Sequence, residues 1–240
     1  MPDHPRFQAE YFIHHSLEEL EHYASVFHDR IARAFDSLEE EAERIRDEAY
    51  SRWSANAGPD DDPLRAQEDA YFVGVDFYLA SEAIRQGVYN LMVAGLYHLL
   101  EQQAQYLATR VLSNPVIQPD AKGGFKQLKK LLKQKFSVDI ESFKSWPPMN
   151  ELILVANTVK HGGGGSANKL KPLNPDLFKN SPDPLPRFGN LPLRPLVGEG
   201  LRLTEDHFKT YHNCVQQFWD ELTAALLPVF CPSPRTPITG

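Results

Sequence analysis

Between Leu64 and Leu112 the chain has no proline, and this uninterrupted stretch restricts the available folds more than any other feature. Val88, Leu91, Met92, Gly95, Leu96, Leu99, Leu100, Leu107 and Val111 recur within it at mostly helical spacing. They form one broad side of an α-helix, wide enough for a bundle interior. One very long helix, or two joined near Gly74 or Gly87, satisfies the pattern. Gly95 within the stripe costs about 1 kcal/mol relative to alanine, which points to a close helix crossing there. Tyr97, His98 and Glu101 are the polar or half-polar members, and Tyr97 and Glu101 share a face.

Upstream, Ser16-Leu-Glu-Glu19 has the form of a capping box, with Tyr11, Phe12 and Ile13 before it as an N-terminal staple. From there Leu17, Leu20, Ala24, Phe27, Ile31, Ala34, Leu38 and Ile45 follow a coiled-coil-like seam with a break at Glu41. The spacing predicts a helix to about Trp53, roughly 55 Å long. Its remaining surface is crowded with acids, so packing along a partner helix fits it better than contact with nucleic acid. Asn56–Pro63 reads as a turn, with Pro63 suited to the first turn of the next helix.

The formal net charge of −7 is unevenly distributed. Residues 1–69 carry 18 acidic and 7 basic side chains, a balance of −11, whereas residues 122–171 carry 10 lysines against Asp139, Glu141 and Glu151, a balance of +7. A local basic field is a reason to expect a phosphate-bearing partner, although a solvated lysine face would read the same way. No run approaches the length of a membrane span, and Met-Pro-Asp-His-Pro-Arg is not a secretory leader, so the expected location is cytoplasmic. Two cysteines, Cys214 and Cys231, make neither a disulfide framework nor a metal cluster. His14, His15, His22 and His28 lack accompanying ligands at a metal spacing, and neither a metal nor a cofactor is expected.

The basic segment contains the stretch that carries chemistry. Phe125–Phe136 is a short lysine-rich helix with Phe125, Leu128 and Leu132 facing inward. Ser145-Trp-Pro-Pro148 then opens a helix in which Leu152, Val155, Ala156 and Val159 form an apolar side. On another side Asn157, Lys160 and His161 project together from the last turn. Gly162, Gly163, Gly164 and Gly165 stop it at once. Those glycines either offer amides to a phosphate as a nest or simply end the helix. Ser166 suits the cap of a short helix through Leu170, with Lys169 on it. His161 at a helix C-terminus has a bland reading, bonding the last carbonyls, but Lys160 and Asn157 beside it favour a site. Residues 172–203 form a proline-rich insertion in which Leu191–Val197 and Gly200–Leu203 could make a small irregular hairpin. Thr204 caps a last helix that Pro228 ends, and the chain closes in a loose tail, 229–240.

A helical bundle in which a late helix ends in Asn157-x-x-Lys160-His161-Gly162 resembles the HEPN superfamily, whose signature is Arg-polar-x-x-x-His. Asn157 stands at the polar position, His161 at the histidine, and Ala156 where the family has arginine. The likeness implies an all-α HEPN-like bundle over residues 64–228, with residues 1–60 as an acidic helical arm. It further implies a homodimer with the motifs of two subunits meeting in a cleft. Members are metal-independent endoribonucleases of toxin–antitoxin or anti-phage systems, or inactive relatives that bind RNA, nucleotides or proteins. On that basis His161, Lys160 and Asn157 are the candidate catalytic residues. Gly162, Gly163, Ser166 and Lys169 would contact substrate, and Glu101 and Tyr97 would support them. The alternative is a non-catalytic scaffold that dimerises and recruits a protein, an antitoxin or effector, through the N-terminal helix.

Overall fold

The computed structural model describes residues 5–113, 124–162, 164–179 and 200–230, and among these every regular element is helical. The chain is an all-α bundle: α1 Pro5–Val26, α2 Leu38–Ala55, α3 Pro63–Tyr106, α4 Gly124–Leu131, α5 Trp146–His161, α6 Gly165–Leu173 and α7 Glu205–Phe230. No helix in the described residues is long and apolar enough to cross a membrane.

The proline-free stretch is one helix. α3 runs for 44 residues, about 66 Å. Asp62 caps it by accepting the Leu64 amide at 2.9 Å, and Pro63 occupies its first turn, where the missing N–H costs nothing. Its two halves bury the same side in two separate cores, since Val75 and Val93 stand five whole turns apart. Val93, Leu96, Leu100 and Ala104 enter the main core with α1, α4, α5 and α7. Val75 and Tyr78 pack instead with Leu38 and Ala42 of α2 in a much smaller one. At Gly74 an added Cβ would stand 3.0 Å from the Ala42 carbonyl oxygen, so α2 and α3 approach almost backbone to backbone. At Gly95 the expected close crossing of helices is instead a side-chain contact: a Cβ there would collide with the Tyr23 hydroxyl, which donates to the Met92 carbonyl at 2.9 Å.

The N-terminal region departs from expectation. Ser16 does not start a helix, because α1 already begins at Pro5 and Ser16 is buried in its middle. The early start has a packing cause. Ala9 and Ile13 are buried, and the Phe12 ring stacks on Tyr106 at 5.1 Å. Nor is the seam continuous to Trp53. A π-helical turn at Phe27–Ile31 and a 3-10 turn at Ala32–Phe35 rephase the chain before α2 begins at Leu38. Residues 1–60 therefore do not behave as one arm. Leu20, Ala24 and Phe27 are buried in the main core, whereas α2 forms an antiparallel hairpin with the first half of α3.

The C-terminal region is pinned by polar groups. Gly200–Leu203 forms no strand, and the other half of the expected hairpin, Leu191–Val197, lies outside the described residues. Leu201 and Leu203 are buried, and the fully buried Asn90 side chain takes the place of a neighbouring strand. Its Nδ2 donates to the Leu201 carbonyl at 2.9 Å and its Oδ1 accepts the Leu203 amide at 3.3 Å. Gln86 adds a bond to the Leu203 carbonyl at 2.9 Å. Thr204 caps α7 as expected, with an unexpected reciprocal partner: its amide donates to His207 Nδ1 at 3.0 Å. Pro228 does not end α7, which continues to Phe230. A proline in a last turn forfeits only one backbone bond.

Two consequences can be measured. Asn90→Ala leaves the buried Leu201 carbonyl and Leu203 amide without that partner, and should lower stability by ~2–4 kcal/mol in urea unfolding. The second concerns pH. His207 and the buried His212 both have pKa values below the ordinary histidine value because burial disfavours the imidazolium; Glu21 opposes this at His212, and His28 reinforces it. A folded pKa below the unfolded one means a contribution that is present above about pH 6.5 and lost as pH falls through the folded value. The urea midpoint should therefore fall as pH drops below about 6.5, and His212→Gln should flatten that slope.

Candidate functional site

α5 presents the motif, and its start is fixed by a carboxylate from α7. Glu221 accepts the Lys144 and Ser145 amides, each at 3.1 Å, and the Ser145 hydroxyl at 2.7 Å. Burial raises the Glu221 pKa, but these hydrogen bonds outweigh it and hold the group below the ordinary carboxylate range. Pro147 and Pro148 follow in the first turn, where their missing amides need no partner. Met149, Leu152, Val155 and Val159 then anchor the helix in the core. Midway along, Glu151 accepts the Tyr211 hydroxyl at 2.6 Å and the Asn174 amide at 3.1 Å. The rotation of α5 about its axis is thereby set from both α7 and the segment after α6.

With α5 so placed, α3, α4 and α5 enclose an open groove of ≈ 800 Å³. Its deepest surface is apolar: Phe125, Ala156 and Val159 are buried, with Ala94 and Ile153 half-buried above them. The exposed rim carries His98 and Leu91 from α3, Lys126 from α4 and Lys160 from α5. Asn157, Tyr97 and Glu101 complete the lining. The fold thus gathers Asn157, Lys160, Tyr97 and Glu101 from helices far apart in sequence, as the spacing alone could not require.

The polar members are partly committed to one another. Glu101 accepts from the Tyr97 hydroxyl at a long 3.4 Å and stands 3.6 Å from His98 Nδ1. Burial, then Glu101, raises the Tyr97 pKa, so this phenol remains a hydrogen-bond donor. Asn157 turns its amide back to the Ile153 carbonyl at 2.8 Å, leaving its oxygen as the free end. Lys126 and Lys160 have no ion-pair partner among the described residues, unlike Lys133, which binds Asp139 at 3.0 Å, and Lys129, which pairs with Glu141. Two uncompensated ammonium groups above an apolar floor suit an anion attached to a flat or greasy body.

Other candidates lie elsewhere. His161 is exposed and does not line the groove, since it sits about 100° around the helix from Lys160. The imidazole at the groove is His98, on α3. The Gly162 amide already donates to the Thr158 carbonyl at 2.9 Å, so it closes the helix instead of offering itself to a phosphate. Gly163 lies outside the described residues. Ser166 does not cap α6, because the cap position is Gly164, and neither Ser166 nor the exposed Lys169 reaches the groove. Lys126 was hidden in the sequence among other lysines of α4, and only its nearness to α5 distinguishes it. No cluster of three or more metal-ligating side chains exists among the described residues.

No family model matches the chain, and neither a curated protein nor a solved structure resembles it.

The helix stop has its own test. Gly162 has φ +72° with open space where a Cβ would stand, whereas Gly165 has no positive φ and lies within α6. Gly162→Ala should cost ~1–2 kcal/mol through backbone strain alone. Gly165→Ala should be neutral or stabilising by ~0.5–1 kcal/mol. Urea unfolding of the two variants separates the roles.

Proposed function

We propose that the chain is a HEPN-like protein that holds RNA, or a nucleotide of RNA, in the groove between α3, α4 and α5. The observation that carries this reading is the pair Lys126 and Lys160, without an ion-pair partner among the described residues, on two walls of a groove with an apolar floor. Phosphates would meet the ammonium groups as point charges, while a base lies against Phe125, Ile153 and Ala156. Tyr97 and Asn157 would supply directional hydrogen bonds. Ala156 occupies the position where the HEPN signature has arginine, and its methyl group adds to the floor. This favours holding RNA over cutting it, because a nuclease of this type needs a cation and the histidine at one phosphate, and His161 stands away from the groove.

A second reading, a non-catalytic scaffold for an antitoxin or effector, is favoured by the α2–α3 hairpin. Tyr50, Trp53, Leu64 and Phe72 are exposed along it, and an exposed apolar patch of this kind marks a protein-binding surface. A cytoplasmic toxin–antitoxin or anti-phage setting suits either reading.

The test uses a labelled single-stranded RNA in chelator at low salt. Lys126→Glu with Lys160→Glu should weaken binding by at least roughly tenfold and reduce its salt dependence. His161→Ala should leave binding unchanged, with no cleavage products from either protein. Equal binding by the double variant would overturn the reading. Cleavage by the wild type that His161→Ala abolishes would instead establish the endoribonuclease form.

A further inference from the structure

Among the described residues one face of α3 is exposed along its length, and its chemistry changes in order. Asp69, Asp76, Ile84, Leu91 and His98 are all exposed, and at helical spacing they line one side of the rod. The last three are seven residues apart, the repeat with which two helices pack along each other. Ile84 and Leu91 are 48% and 52% exposed, so they give the middle of this face an apolar character. The acidic end belongs to the hairpin, where residues 38–76 carry 12 acidic and 4 basic side chains, a balance of −8. At the other end lies the groove with Lys126 and Lys160. Arg65 and Glu101 run against this order without reversing either sign.

We infer that two copies of the chain pair antiparallel through this face, about a two-fold axis midway between Ile84 and Leu91, so that the acidic half of each α3 covers the lysine-rimmed groove of the other. The spacing supports it. Asp76 lies 8 residues before Ile84 and His98 lies 7 after Leu91, about 12 Å and 11 Å along the axis, so reversal sets Ile84 against Leu91 and Asp76 against His98. A face ordered acidic, apolar, basic is complementary to itself only in that orientation; parallel pairing would oppose like charges. The same chain cannot satisfy itself. Both halves sit on one continuous helix, and α2 is locked to the acidic half at Gly74, so the hairpin cannot fold back onto its own groove. This arrangement differs from a dimer whose two motifs share one cleft, because each groove faces the other copy's hairpin. It also makes the hairpin a competitor of RNA, a consequence that rests on the function proposed above.

Sedimentation velocity of the full chain at low salt tests the pairing, with circular dichroism as the check on folding. The wild type should form dimers that dissociate as salt is raised. Ile84→Arg, the pair Asp69→Lys and Asp76→Lys, and the pair Lys126→Glu and Lys160→Glu should each weaken dimerisation by at least roughly tenfold. Combining the last two pairs in one chain should restore it. A wild type that stays monomeric at about 100 μM in low salt, or charge-reversed pairs that dimerise normally, would overturn the inference. So would a four-site variant that stays monomeric while folded. Asp69→Lys with Asp76→Lys keeps the groove lysines, so its RNA binding reports on the functional reading separately. Intact RNA binding with unchanged dimers defeats only the pairing, and lost dimers without RNA binding by any form defeat only the function.

Discussion

The burial of one side of α3 in two separate cores is the constraint on which the remaining structure depends. A helix of this length has little stability of its own beyond propensity, and most of what holds it comes from side chains removed from water. The C-terminal half contributes Val93, Leu96, Leu100 and Ala104 to the main core, and each large aliphatic among them is worth ~1.5–3 kcal/mol on burial. The N-terminal half has only Val75 and Tyr78 against Leu38 and Ala42. One rod therefore joins a well-packed bundle to a lightly packed hairpin. Because it has no interior proline, it also fixes the distance and rotation between them.

Polar groups then decide where the other elements stop. Asn90 and Gln86 satisfy the backbone of 201–203, which allows a non-helical segment with buried Leu201 and Leu203 to lie against α3 without a sheet. Glu221 does the equivalent for the residues that lead into α5. In both cases a side chain replaces the partner that regular secondary structure would have supplied, and leaving such groups unpaired would cost more than the bonds themselves contribute. These contacts fix the direction in which Asn157 and Lys160 leave α5. The groove is consequently a product of the frame, since its walls come from three helices that each take orientation from a different neighbour.

The electrostatics follow the same division. Lys129 of α4 and Lys133 just after it pair with Glu141 and Asp139, whereas Lys126 has no ion-pair partner among the described residues. The acids of the hairpin sit on α2, the turn after it and the first half of α3. The chain is thus a dipole built on one helix, with an apolar middle at Ile84 and Leu91. An overall net charge of −7 conceals it, because the two ends largely cancel.

Much of the helical content was legible in the residues. Pro63, Thr204 and Pro147–Pro148 marked true helix starts, and the Gly162 stop was readable from glycine's lack of a Cβ. These features are local: each depends on backbone geometry within a turn or so. Ser16-Leu-Glu-Glu19 misled because a capping pattern is also an ordinary helical sequence, and the burial of Ala9 and Ile13 against distant α3 and α7 decided otherwise. His161 was grouped with Asn157 and Lys160 by spacing, yet a difference of one residue turned it out of a groove whose width is set by α3 and α4. The amino-acid order by itself determined the all-α class, the long proline-free rod and the segregation of charge. Only the tertiary structure decided which lysines remained unpaired, which histidine stood at the groove and where the acidic region split. Those outcomes depend on which surfaces of separate helices come into contact, and periodicity within one helix does not contain that information.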